Sequence, residues 1–157
     1  MSLRNALKTN PGLEQNGVTL QIANTRVLLA RAGGANQAYN AKLTVWYKGN
    51  KRAIELDSFS NDAMRKLFIE FYADCIVRKW ETDLAYDEPF TPTDEQPEKP
   101  ERWVDGIEDG KGGVVPFNRE NVIAYFNEVP DWFNECKLFA ENAQHYRQSL
   151  LDGITGN

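Results

Sequence analysis

At 157 residues, 41% hydrophobic and 11% aromatic, the chain has the size and apolar content of one folded domain and not those of a disordered segment. No apolar run approaches the roughly 20 residues of a membrane-spanning helix, and Met1-Ser2-Leu3-Arg4-Asn5-Ala6-Leu7 has a positive charge without the apolar stretch of a secretory leader. The formal charge of -5 hides a basic first half and an acidic middle, but apart from Lys48, Lys51 and Arg52 the cations are dispersed, which argues for a solvated surface and against a nucleic-acid site.

Residues 1–16 are polar around Asn10-Pro11-Gly12, and a flexible N-terminal arm is expected there. Val18-Thr19-Leu20-Gln21-Ile22 alternates apolar and polar residues as a half-buried strand does. Ala23-Asn24-Thr25 offers a turn, and Arg26-Val27-Leu28-Leu29-Ala30-Arg31 closes a β-hairpin. Gly33-Gly34 stops that hairpin. Asn36 then caps a helix with Tyr39, Leu43 and Trp46 or Tyr47 on one face, weakened by β-branched Thr44-Val45 and ending near Lys48-Gly49.

Ser60-Asn61-Asp62 caps a central core helix in which Met64, Leu67, Phe68, Phe71, Tyr72, Cys75 and Ile76 recur at helical spacing, expected to run to Lys79-Trp80-Glu81. Beyond it, Pro89, Pro92, Pro97 and Pro100 stand among Asp87, Glu88, Asp94, Glu95, Glu98 and Glu101. An acidic, proline-rich insert at about 83–102 is expected to stay extended and mobile, because few aliphatic residues offset its ordering entropy. Trp103-Val104-Asp105-Gly106-Ile107 and Val114-Val115 suit a second short hairpin around a Gly-rich turn.

Asn118 is placed to cap a helix through Ile123, Tyr125 and Phe126, with Phe117 and Val122 spaced as a hydrophobic staple. That helix must stop before Pro130, which starts the last one. In the last helix Trp132, Cys136, Phe139, Ala143, Tyr146 and Leu150 step by four and three, which puts them on one side at 3.5 residues per repeat. The expected fold is α+β: one mainly helical domain over residues 17–157, with about four helices and a short N-terminal β-hairpin.

Chemistry is sparse. His145, the one histidine, follows Cys136 by nine residues, which on a helix turns it by about 180° and displaces it by about 13 Å, so the two form no dyad. Gly110-Lys111 is followed by glycine where a phosphate-binding loop needs Ser or Thr. Ile107 stands where a calcium loop beginning at Asp105 needs an oxygen ligand, and two cysteines with one histidine give no zinc spacing. No catalytic, cofactor-binding or metal residue is assigned, and an enzyme is not expected. The two cysteines suit a reducing cytoplasm. The 8 Phe, 6 Tyr and 4 Trp exceed what so short a chain is expected to bury, and the surplus points to a partner surface. Phe133, about 100° round the helix from Trp132, and Tyr125 are the first candidates for it, with Tyr39 and Trp46 as the second place.

The order of several motifs adds to this. Arg31-Ala32-Gly33-Gly34-Ala35-Asn36 precedes Tyr39, Lys79-Trp80-Glu81 follows, then Pro116-Phe117-Asn118-Arg119-Glu120-Asn121-Val122, then Val129-Pro130-Asp131-Trp132-Phe133 and an aromatic-rich final helix. From about Gly17 onward, interrupted by the acidic insert, the series resembles the tail assembly chaperones of long-tailed bacteriophages and prophages. The resemblance implies a protein of the host bacterial cytoplasm that binds the phage tape measure protein, helps recruit tail tube protein subunits, and is absent from the mature virion. It also implies a frameshifted longer form. Self-association stays open, no nucleic acid or membrane is implied, and a structural tail or connector component or a small acidic regulator of a host protein remain as alternatives.

Overall fold

A computed structural model describes residues 2–155; Met1 and the last two residues of the expected 17–157 domain lie outside it. Among the described residues the chain is α+β, with eight α-helices, a 3₁₀ turn, a four-stranded antiparallel sheet and a two-stranded one. Eight helices replace the expected four or so because the N-terminal arm is helical, a short helix follows the one capped by Asn36, and the last helix is broken.

β1 (Val18–Ile22) and β2 (Thr25–Leu29) form the expected hairpin, which continues into β3 (Val77–Asp83) and β4 (Trp103–Asp105) in the order β1-β2-β3-β4. β3 corrects the expected central helix, which ends at Cys75 and not at Glu81. Val77 and Trp80 lie three apart and would face opposite sides of a regular strand. A bulge at Arg78 resolves this: Val27 pairs with Trp80 and Leu29 with Val77, so all four point into the core. The second hairpin is narrower than expected. β5 (Ile107–Glu108) pairs with β6 (Val114–Val115), whereas Trp103-Val104-Asp105 joins the main sheet.

The arm of residues 1–16 is also corrected. Ser2 caps α1 (Leu3–Leu7) and Asn10 caps α2 (Pro11–Asn16), so Asn10-Pro11 is a helix start and not a loose turn. The segment is tied down by backbone bonds from Asn10 N to Tyr146 O (2.8 Å), Gln148 N to Lys8 O (2.9 Å) and Arg31 N to Glu14 O (2.9 Å). Buried Glu14 pairs with Arg31, and a Cβ on Gly34, whose φ is +53°, would run into that pair, so glycine at 34 lets the ion pair close over the turn.

α3 (Gln37–Gly49) and α4 (Lys51–Glu55) precede α5 (Asn61–Cys75), which packs on the sheet, on α3 and on α6 (Arg119–Glu128), and whose Tyr72 ring meets Phe133 of α7 (Pro130–Glu141). Asn118 and Ser60 cap α6 and α5 as expected. The single last helix does not form. Asn142 is extended and caps a 3₁₀ turn (Ala143–Tyr146), after which α8 (Gln148–Thr155) begins. With the stripe cut at Asn142, α7 need not present Trp132 and Phe139. It buries Phe133, Cys136 and Ala140 instead, a set with the same three-and-four spacing. Tyr146 still reaches the core, its hydroxyl donating to Leu29 O (3.0 Å).

The acidic insert is closed at its base. The Asp83 carboxylate accepts from Arg102 N (2.8 Å) and Ala85 N (3.0 Å), and Leu84 N donates to Arg102 O (2.9 Å). Backbone bonds from Arg102 and Ala85 hold the Asp83 carboxyl below the usual carboxylate range. Between these ties, residues 86–98 contain no helix or strand and are exposed except for Phe90.

Candidate functional site

The aromatic residues divide into a packed cluster and a partly open one. Trp80 centres the first: its indole N–H donates to Val115 O (3.2 Å), and the rings of Phe117, Tyr125 and Trp132 lie 5.7, 5.6 and 6.0 Å away. Phe133, expected at the surface, is 2% exposed and sits between Tyr72 (5.4 Å) and Phe126 (5.1 Å). Tyr39 is likewise core, edge-on to Tyr72 at 6.1 Å, and burial pushes its hydroxyl up to about 12. Neither can meet a partner. Tyr125 is half-buried, lining with Trp132, Ile22 and Ile107 a groove of about 260 Å³. Burial also raises its hydroxyl pKa.

Trp46 belongs to a different place. Asn36 fixes it: the buried amide donates to Arg31 O (2.9 Å) and Cys75 O (3.0 Å) and accepts from Tyr39 N (3.4 Å), which pins the start of α3 to the exits of β2 and α5. From there α3 lies against α5 through Tyr39, Leu43 and Trp46. Trp46 contacts Phe59 (5.5 Å) and Tyr47 (5.1 Å) without being enclosed. Between the helices opens an apolar groove of about 600 Å³, walled by Ala41, Val45, Trp46, Leu67 and Phe71, with Lys42, Gly49 and Asn50 at its rim. Val45 is 71% exposed. The sequence marks Val45 only as a β-branched residue within a helix and Leu67 and Phe71 only as core positions; that the three wall one groove depends on how α3 lies on α5.

One edge of the groove carries charge. Asp74 accepts from Arg119 Nε (2.6 Å) and Lys42 Nζ (2.8 Å), joining α5 to α6 and α3. Partial burial pushes its carboxyl up, but the bonds from Arg119 and Lys42 outweigh this and hold it below the ordinary carboxylate range. The same bond raises Lys42.

The cysteines and the histidine considered as catalytic candidates lie apart from one another in the fold. Cys75 and Cys136 are free and buried, and burial pushes both thiols up, away from the reactive thiolate. His145 stacks flat on Phe139 at 3.9 Å. Among the described residues no group of three or more His, Cys, Asp or Glu is placed to hold a metal ion, and no helix is long and apolar enough to cross a membrane. Asp109 closes the Gly-rich turn by accepting from Lys111 N (2.7 Å) and Gly113 N (3.1 Å), so its carboxylate serves the hairpin. No protein-family model, curated protein or solved structure matches the chain.

Proposed function

We propose that the protein is a tail assembly chaperone that seats an amphipathic helical segment of a phage tape measure protein in the α3–α5 groove. The observation that carries this is the exposure of Val45 at 71% on an open apolar groove next to Trp46, Leu67 and Phe71. Apolar side chains left uncovered along a groove are what an amphipathic partner helix needs, with anchors spaced by three and four residues. The order of motifs from Gly33-Gly34 to Pro130-Asp131 supports the same reading. In it the protein catalyses nothing, acts in the host cytoplasm, brings tail tube subunits to the covered tape measure protein, and leaves before the virion is complete.

The expected genomic setting is a very long, helix-rich reading frame directly downstream. Co-expression with its product should give a soluble complex. Val45→Asp, at an exposed position, should leave the chaperone folded and abolish co-purification. If wild type fails to co-purify, or the aspartate variant binds as well as wild type, this reading is wrong.

A further inference from the structure

Tyr125 has no part in the α3–α5 groove. It walls the second groove, beside the β1–β2 turn, together with Trp132, Ile22, Ile107 and Val129. The Tyr125 and Trp132 rings stand at 82° to each other with centroids 6.3 Å apart, which makes an aromatic corner. Ile22 and Val129 are exposed next to it.

The mouth of this groove is negative. Asn24, in the turn, is fixed because its backbone carbonyl accepts from Asp83 N (2.8 Å) and Thr82 Oγ1 (3.1 Å), and its side-chain amide in turn donates to the Glu108 carboxylate (2.8 Å). Burial comes first in raising the Tyr125 hydroxyl, and the charges that add to it are those of Glu128, Asp109 and Glu108, all negative. Asp109 closes its own turn and has Lys111 beside it. Glu108 and Glu128 are exposed and form no ion pair among the described residues. Arg26, next in sequence to the groove residue Thr25, is turned away: Val27 and Trp80 face the core, so the paired Arg26 and Glu81 lie on the outer face of the sheet.

That outer face shows what a ring beside a carboxylate holds. The Arg26 guanidinium lies 3.9 Å over the Trp103 ring, with the Glu81 carboxylate 3.2 Å from its Nε. A guanidinium gives up water more readily than an ammonium, stacks on aromatic faces and meets a carboxylate through two N–H groups, so such a place favours arginine over lysine. At about 260 Å³ the groove is below the roughly 300–1,000 Å³ usual for a small-molecule site, and it is open along Ile22 and Val129, which suits side chains carried in on a polypeptide.

We propose that this groove docks a partner protein through an arginine flanked by aliphatic residues. The guanidinium enters the corner of Tyr125 and Trp132 toward the free carboxylates of Glu108 and Glu128, and its aliphatic neighbours cover Ile22, Ile107 and Val129. Charge complementarity selects the occupant: an acidic or neutral segment would bury the same apolar area but leave both carboxylates unmatched. The site is separate from the α3–α5 groove and does not depend on what that groove holds.

The test titrates the whole chain, labelled with nitrogen-15, with four decapeptides that share their leucine, valine and serine residues. They differ at two positions, which carry arginine, lysine, glutamine or glutamate. The arginine peptide should shift the Trp132 indole N–H and the amides of Asn24 and Tyr125, and leave the Trp46 indole and the amides of residues 86–98 in place. It should bind at least about tenfold more tightly than the glutamine peptide, with the lysine peptide between them and the glutamate peptide weakest. E108Q/E128Q should bring the arginine peptide down to the affinity of the glutamine peptide and leave the latter unchanged. Circular dichroism checks that this variant is folded. Should it unfold, E128Q alone takes its place, and added salt should weaken the arginine peptide on wild type without weakening the glutamine peptide. V45D should bind the arginine peptide as wild type does, which keeps this result apart from the reading of the α3–α5 groove. Failure of the arginine peptide to bind at millimolar concentration overturns the proposal. So do equal affinities for the arginine and glutamine peptides, shifts confined to α3 or to the carboxylate-rich residues 86–98, or a glutamine variant that binds the arginine peptide as wild type does.

Discussion

Trp80 and Trp46 are the same side chain in opposite circumstances. Trp80 is 1% exposed, with the sheet on one side and Phe117, Tyr125 and Trp132 on the other. Trp46 has Phe59 and Tyr47 beside it and an open groove in front. Local sequence does not tell them apart correctly, for the buried Trp80 stands between Lys79 and Glu81 and the open Trp46 between Val45 and Tyr47. What separates core from candidate interface is how many elements cover the ring, and α3 with α4 is covered from one side only.

The largest expected effect tests that difference directly. Phe133→Ala removes a ring enclosed by Tyr72 and Phe126 and should cost about 3–5 kcal/mol. Trp46→Ala removes a bigger side chain from the open region and should cost only about 1–2 kcal/mol. Urea unfolding followed by circular dichroism measures both. Equal losses would mean that α3 is as firmly packed as α7, and the division into two regions would collapse.

Next in size is the hinge between the regions. Asn36→Ala leaves Arg31 O and Cys75 O without their buried donor and removes the cap of α3, at an expected cost of about 2–3 kcal/mol. The loss should be local. Hydrogen exchange in α3 should accelerate far more than in α7, whereas uniform acceleration would show that Asn36 supports the whole core.

How far the sequence revealed the two regions follows from the range of the forces involved. Ser60, Asn118 and Pro130 marked helix starts because capping and proline geometry act within one turn, and the β1–β2 hairpin was readable from its alternation. β3 was hidden because its bulge at Arg78 gives Val77 and Trp80 a spacing of three, which is also a helical spacing. The arm looked loose because its anchors lie far away in sequence, at Arg31, Tyr146 and Gln148. For the same reason two of the four residues considered for a partner surface turn out to be buried. Trp132-Cys136-Phe139 and Phe133-Cys136-Ala140 are equally good stripes, and only the packing of α7 on α5 and α6 selects the second. Of the four candidates, Tyr39 and Phe133 fell into the core, and Trp46 and Tyr125 into separate grooves.

The smallest expected effect lies at the seam. Asp74 on α5 binds Lys42 of α3 and Arg119 of α6, and the net of burial and these bonds holds its carboxyl below its ordinary value. A carboxyl whose folded pKa is depressed adds stability that is fully present above the unfolded value of about 3.9 and is lost as pH falls through the folded pKa. Lys42 and Arg119 are nearly half exposed, so solvent screening keeps the contribution below about 1 kcal/mol. Asp74→Asn should therefore be slightly less stable than wild type at pH 7 and at pH 5, and the gap should close toward pH 2–3. Glu81, Asp83 and Asp109 are depressed too, but they titrate alike in both proteins and cancel from the difference. Because the Asp74 carboxylate is bonded to Lys42 of α3 and Arg119 of α6, and among the described residues to none of α7, acid should raise hydrogen exchange in α3 before α7 in wild type, and the substitution should produce that order already at pH 7. A gap as large at pH 3 as at pH 7 would mean that the charge of Asp74 is not what holds α3 against the rest of the fold.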